Sequence, residues 1–235
     1  MSAPAPHANG TGVVKAPVYV YELPVRIWHW VNLFAFALLV VTGLLIARPI
    51  WPQLDGEPYH LYVMGWVREI HFVSAYIFAV GFAVRVYWVF VGNAHAREIF
   101  LPAVWSCAWW KGMWTTIRWY LMIDREAPVE VGHNPLAQAA MFLLFVLGAL
   151  FQIVTGFALY GEGAGGWSAR LFSSWVIPLF GGSMEVHTWH HLAMWYILVF
   201  VIIHIYMVIR EDIMSRAAIV SAMINGWRMF KDNRP

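Results

Sequence analysis

Four long apolar stretches, near residues 27–47, 68–91, 136–160 and 188–209, alternate with shorter connections that carry the polar, glycine and proline residues. Each holds the roughly 20 residues that an α-helix needs to cross the hydrocarbon core of a bilayer. Trp28, Trp30, Trp51, Trp66, Trp88, Trp167 and Trp189 fall close to the ends of these stretches, where interfacial tryptophans gather. The pattern predicts an all-α protein, an integral-membrane four-helix bundle over residues 25–212, with tails at 1–24 and 213–235. Residues 1–24 lack the apolar core of a signal peptide, so a mobile, uncleaved tail is expected there.

The connections differ in kind. Segment 48–67 is short and rich in turn residues (RPIWPQLDGEPYH), and segment 161–187 is glycine-rich, long enough to cover or be covered by something. Within 92–135, Trp105 and Trp109 lie one helical turn apart, as do Trp110 and Trp114. Residues 102–122 are therefore predicted as an aromatic helix lying on the membrane surface. Crossing would bury Lys111 and Arg118 in lipid, which is expensive.

Charge orients the bundle. Arg97, Lys111, Arg118 and Arg125 lie in 92–135; Arg210, Arg216, Arg228, Lys231 and Arg234 follow the last stretch; Lys15 and Arg26 precede the first. The opposite connections hold only Arg48 and Arg170, so both termini are expected to be cytoplasmic. Only 12% of the chain is charged and 61% is hydrophobic, about half the charge of a soluble domain. A net charge of +2 gives no footprint for nucleic acid. The single cysteine, Cys107, excludes an internal disulfide, a thiolate zinc cage and a cysteine-held iron–sulfur cluster.

Ten histidines remain as metal ligands. The richest run is HTWHHLAMWYILVFVIIH, from His187 to His204. His190 and His204 are fourteen residues apart, about 40° short of four turns, so they share one helix face at levels roughly 21 Å apart. His191 and His187 point away from that face. Following the chain through the membrane puts His71 beside the outer level of His190, and His29 beside the inner level of His204. Two imidazoles from different helices at one depth are what six-coordinate haem iron requires. His29, His71, His190 and His204 are therefore predicted as axial ligands of two haems, in the pairs His71–His190 and His29–His204.

Other residues take lesser roles. His7, His60 and His95 are given no metal, and His187 and His191 suit surface contacts or a haem propionate. Val41-Thr42-Gly43 and Val154-Thr155-Gly156 offer small residues near the outer ends of two helices, for a flat ring or for helix packing. Arg85 lies fourteen residues after His71, on the same face in the inner half. An inner haem propionate is its expected partner, a quinone headgroup the second choice, and snorkelling the plain alternative.

The stretches RIWHWVNLFAFALLVVTG (Arg26–Gly43) and HTWHHLAMWYILVFVIIH resemble the two signature stretches of the b-type cytochrome subunits of membrane-bound nickel–iron uptake hydrogenases. REIHF around His71, RVYWVFVGN from Arg85, GHNPLAQAAMF from Gly132 and REDIMS from Arg210 are similar too. The resemblance implies two haem b groups in four transmembrane helices of the bacterial inner membrane. It implies a role as anchor to an iron–sulfur small subunit and, through it, a nickel–iron large subunit. Electrons would pass from the small subunit over both haems to a quinone; the chain itself would not activate hydrogen. By the same resemblance a quinone site near the inner haem would draw on His204, His133, Asn134 and Arg85, although Asn134 before Pro135 also reads as a helix cap.

Rival readings are a cytochrome for formate dehydrogenase or thiosulfate reductase, a histidine-relay transporter, and an intramembrane zinc enzyme. The transporter would be colourless. The zinc enzyme would want an HExxH-like cluster, and the sequence has none.

Overall fold

In a computed structural model, residues 17–49, 62–125, 128, 130–215 and 218–229 are described. Most of the expected N-terminal tail, His7, Lys15, Trp51, His60, Arg216, Lys231 and Arg234 lie outside them. Four helices have the length and composition to cross a membrane: α1 (Leu23–Ala47), α2 (Val63–Val91), α5 (Pro135–Ala164) and α7 (Ser183–Ser215). Between them come α3 (Ala94–Arg97), α4 (Cys107–Tyr120) and α6 (residues 166–180), and α8 (Ile219–Asn225) follows the last span.

Every span is longer than its apolar pattern. The 33 residues of α7 reach roughly 50 Å, well beyond a core of about 30 Å. Its last turn therefore leaves the bilayer and docks on α4, with the Arg210 guanidinium 4.7 Å from the Trp119 ring and Tyr120 Oη donating to Glu211 at 3.2 Å. Burial, and after it the Glu211 carboxylate, push the Tyr120 phenol up to about 12, so it remains a donor. At 14 residues α4 is too short to span, which agrees with a surface helix. Its buried Trp109 donates to Gln138 Oε1 at 2.9 Å, while Trp105, Trp110 and Trp114 face outward.

The bundle consists of two pairs. Helix α1 packs along α2, and α5 packs along α7, whereas, among the described residues, the backbones of the two pairs approach most over a short stretch of α2 and α5. Side chains bridge the rest: Ala35, Phe78, Phe82, Val146 and Ala149 form a central apolar cluster. Helix α5 opens into a π-helical turn at Met141–Val146, beside that cluster. At the face that holds the first and last described residues (the terminal face), Val18–Tyr19 pairs antiparallel with Trp227–Arg228. Part of each expected tail is thus a two-stranded ribbon, held by backbone bonds and a Tyr19–Trp227 ring contact at 5.3 Å. Glu22, just before α1, accepts from Trp88 Nε1 and from the Asn93 amide, both at 2.9 Å, and so ties the start of α1 to the end of α2.

At the opposite face, the glycine-rich connection is largely helical. Ser168 and Ser173 donate to the carbonyls of Phe157 and Ala158, each at 2.6 Å, and so strap α6 to α5. Gly161 permits this approach: a Cβ there would lie 2.5 Å from the Ala169 nitrogen.

Glu98 closes the terminal face. Its carboxylate bridges His95 Nδ1 (2.6 Å) and His133 Nδ1 (3.0 Å) and accepts from the His133 amide at 2.7 Å. Burial pushes this carboxyl up, but the bonds and charge of His133, aided by His95, outweigh it and hold the group below its ordinary value.

Two outcomes follow from this packing. Gly161→Ala should cost about 1–3 kcal/mol by overpacking, read as a lower thermal midpoint in detergent, while Gly163→Ala, whose Cβ would meet nothing within 4 Å, should not lower it. Because Glu98 has a lowered carboxyl in the folded state, its contribution is complete above its unfolded value near 4.5 and is lost as pH falls through the folded one. The difference in thermal midpoint between the protein and Glu98→Gln should shrink on acidification below pH ~4.5; a constant difference would show that the carboxylate charge is not what stabilises the latch.

Candidate functional site

The four histidines named from the sequence all lie on spans, deeper than their distance from the apolar borders suggests. His29, His71 and His190 are the seventh, ninth and eighth residues of α1, α2 and α7, roughly 9–12 Å in from those helix ends. Toward the face of the glycine-rich connection (the loop face), His71 stands against Thr42 and Gly43 of α1 and His190 against Thr155 and Gly156 of α5; toward the terminal face, His29 lines a cavity with Arg85 and His133. The pairs expected from the sequence, His71 with His190 and His29 with His204, thus take one imidazole from each helix pair. Between the levels lie Phe78, Phe82, Val146 and Ala149, and Phe145 contacts Phe200 at 6.2 Å. Phe200 in turn stacks on His204 at 5.8 Å.

The two levels are built differently. Near the loop face, His71 Nδ1 is 2.8 Å from Thr42 Oγ1, and His190 Nδ1 is 2.8 Å from Thr155 Oγ1. The glycine after each threonine clears the ring: a Cβ on Gly43 would sit 3.4 Å from His71 Cε1, and one on Gly156 3.3 Å from His190 Cε1. The carbonyl of His190 accepts from Gln152 Nε2 at 3.0 Å, which joins α5 to α7 at the same depth.

Near the terminal face the side chains are richer in donors. Arg85 is only 2% exposed, flanked by the rings of Trp28 (5.5 Å) and Phe100 (5.0 Å). Its Nη2 donates to the Ala96 carbonyl at 2.7 Å. Arg85 Nε and Nη1, Trp28 Nε1 and His29 Nδ1 are buried with no hydrogen-bond partner among the described residues. Snorkelling is therefore not what Arg85 does. Arg85, Trp28, His29, His95 and His133 help to line one cavity of about 40 Å³. That is room for about one water and less than a quinone headgroup fills. Tyr21 lines the same cavity, its phenol pushed above its ordinary value by burial.

The remaining candidates have ordinary local partners. Asn134 caps α5, accepting from the Ala137 amide at 2.8 Å with Pro135 in the first turn. His187 Nδ1 is 2.9 Å from the Ser183 carbonyl, and Trp195 Nε1 donates to His191 Nε2 at 3.2 Å. Among the described residues, no three His, Cys, Asp or Glu side chains gather into a metal cluster, so nothing there favours a zinc site. Glu98 and the hydroxyls of Thr42 and Thr155 went unassigned from the sequence. The repeated Val-Thr-Gly was the signal for the threonines, read there only as small residues.

This donor set suits haem. Four imidazoles stand on the spans, glycines clear the edges of two of them, and unpartnered buried donors line a cavity with His29 and suit carboxylates such as propionates. A model of the prokaryotic cytochrome b561 family matches residues 20–226. The chain is 56% identical to a probable Ni/Fe-hydrogenase B-type cytochrome subunit of Azotobacter vinelandii, over 94% of this chain and 92% of that protein. It is 52% identical to a protein of the same description from Cupriavidus necator, over 93% of this chain and 89% of that one. It is 46% identical to a probable Ni/Fe-hydrogenase 1 B-type cytochrome subunit of Escherichia coli K12, over 91% of each. A chain with four helices long and apolar enough to cross a membrane, matched over residues 20–226, thus belongs to the prokaryotic cytochrome b561 family.

Proposed function

We propose that this chain is the membrane anchor and electron carrier of a nickel–iron hydrogenase. In this reading it accepts electrons at the loop face from an iron–sulfur small subunit attached to the nickel–iron large subunit, and delivers them to quinone at the terminal face. What supports the reading is four histidines on the spans, two of them held against threonine hydroxyls of neighbouring helices, in a chain whose relatives are described as hydrogenase B-type cytochromes. The arginine and lysine bias supports a bacterial inner-membrane orientation with the terminal face, and both termini, on the cytoplasmic side.

His71 and His190 would hold one haem b, and His29 and His204 a second. Such a group supplies a one-electron ferric–ferrous couple. With His71 and His190 holding one group and His29 and His204 the other, no open iron position would remain for dioxygen or substrate, so the site would carry electrons rather than activate ligands. The protein's own work is positioning. The helices set the depth of each couple, the phenylalanines between the levels keep that layer apolar, and Arg85 with Trp28 gives a carboxylate its donors. Quinone reduction takes two electrons and two protons and is assigned to the inner level, where Arg85, His133, Asn134 and His204 are the candidates. In the cavity lined by Arg85 and His133, the lining must move to admit a headgroup.

The test is a dithionite-reduced minus oxidised spectrum with haem counted per purified chain. Two b haems are expected, and one in His71→Ala or His190→Ala, with hydrogen-driven quinone reduction lost and dye-linked hydrogen oxidation kept. Unchanged haem content and quinone reduction in either variant would overturn the reading.

Arg85 yields an outcome of opposite signs. In the haem-free protein its unpartnered donors are a burden of about 1–3 kcal/mol, so Arg85→Gln should unfold at a higher temperature than the haem-free parent. In the loaded protein the same change should lower inner-haem retention severalfold. A variant with parental haem retention would show that no propionate sits on Arg85.

A further inference from the structure

The two hydroxyl contacts at the loop-face level are the same device built twice. Thr42 Oγ1 is 2.6 Å from the Leu38 carbonyl and 3.4 Å from that of Leu39. Thr155 Oγ1 is 2.7 Å from the Phe151 carbonyl and 3.4 Å from that of Gln152. A helical threonine commonly gives its proton to such a carbonyl one turn back. A carbonyl oxygen can only accept, so each hydroxyl proton is committed there. Toward the imidazole 2.8 Å away, each hydroxyl can then serve only as acceptor. With the hydroxyl proton on the carbonyl, the proton of each ring would stand on Nδ1 and the lone pair of each on Nε2. In each case the threonine stands on the partner helix of the pair, α1 serving α2 and α5 serving α7, and the next residue is the glycine that clears the ring. At the other level, His29 Nδ1 has no hydrogen-bond partner among the described residues.

We infer that Thr42 and Thr155 are positioning residues that aim the Nε2 lone pairs of His71 and His190 and strengthen them as donors, holding the couple at this level at a lower potential than the same imidazoles would have without the hydroxyls. The inference rests on the haem reading above. Its chemistry is general: an N–H···O bond draws the Nδ1 proton outward and leaves more electron density on Nε2, and a stronger donor favours ferric over ferrous iron. The bond also removes ring rotation as a freedom, since both atoms of the contact are anchored to helices. Because both ligands of one centre carry the device, the two effects act on the same couple.

The experiment is a potentiometric titration of both haems, with low-spin ferric EPR, on the full-length purified chain and on Thr42→Val, Thr155→Val and the double variant. Valine keeps the shape and removes the acceptor. Each single variant should retain two haems and move one midpoint potential upward. The double variant should move that midpoint further, and the other should stay in place. Thr42→Ser and Thr155→Ser, which keep the hydroxyl, should restore the parental value. Loss of one haem in the valine variants but not in the serine variants would also support the role, because only the hydroxyl differs in function. Unchanged midpoints with both haems present, equal shifts of both, or failure of serine to restore would overturn it. His71→Ala separates the two levels of failure: if that variant keeps both haems, the ligand reading itself falls; if it loses one and valine shifts nothing, only the role of the threonines falls.

Discussion

An imidazole inside an apolar bundle has two nitrogens to satisfy, and the architecture of this protein follows from how that is done. Water is absent at that depth, and an unsatisfied polar atom there is costly. For His71 and His190 one nitrogen meets a threonine hydroxyl on the neighbouring helix, which leaves the other for the seam between the two helix pairs. This requires α1 to lie close along α2, and α5 along α7, at the depth of each threonine. Glycine beside each threonine permits that closeness, and the Gln152 bond to the His190 carbonyl secures the second pair. Tight pairing within each hairpin and loose contact between hairpins are two sides of one constraint. The polar bonds are spent inside the pairs, so the seam keeps only lone pairs and apolar rings.

The seam is held at a fixed width from its ends. At one face the serines of α6 strap that helix to α5, and Ala158, Val176 and Val186 are fully buried around the strap. At the other, the strand pair, Glu22 and the Glu98 bridge join segments far apart in sequence. Helix α4 adds a surface buttress through Trp109, Trp119 and Tyr120, each of which meets a polar group with its donor or its ring. The middle of the bundle, where macrocycles would stand, is thus spared from supporting the fold through close backbone packing.

Much of this is legible in the sequence because the membrane imposes a simple code. Twenty apolar residues give a span, and fourteen residues between His190 and His204 give two levels on one face. What the code omits is anything that depends on a partner helix. The helices extend past their apolar borders because Glu22, Asn134 and Glu211 find partners beyond them. The glycines of 161–187 suggest a loop, yet they mark tight approach and helix ends, and α6 forms between them. Thr42 and Thr155 stand one residue before glycine in both copies, but their bonds cross to other helices and no single-helix periodicity reveals them. Glu98 is invisible for the same reason: it is 35 residues from His133 in the chain, and only the folded terminal face brings them together.

The difference between the two levels has a direction. Under the proposed function, the loop-face level surrounds its ligands with neutral oxygen acceptors, which favour the more positive oxidation state. The terminal-face level places a buried guanidinium in the lining of the cavity that His29 shares; its Nη2 meets the Ala96 carbonyl, while Nε and Nη1 have no hydrogen-bond partner among the described residues. A fixed positive charge favours the less positive oxidation state of whatever couple sits beside it, and low dielectric makes that influence strong. Hydroxyl acceptors at one depth and a cation at the other push two otherwise similar bis-imidazole couples apart in the same sense. An electron entering at the loop face would therefore move toward the terminal face down a gradient written into two threonines and one arginine.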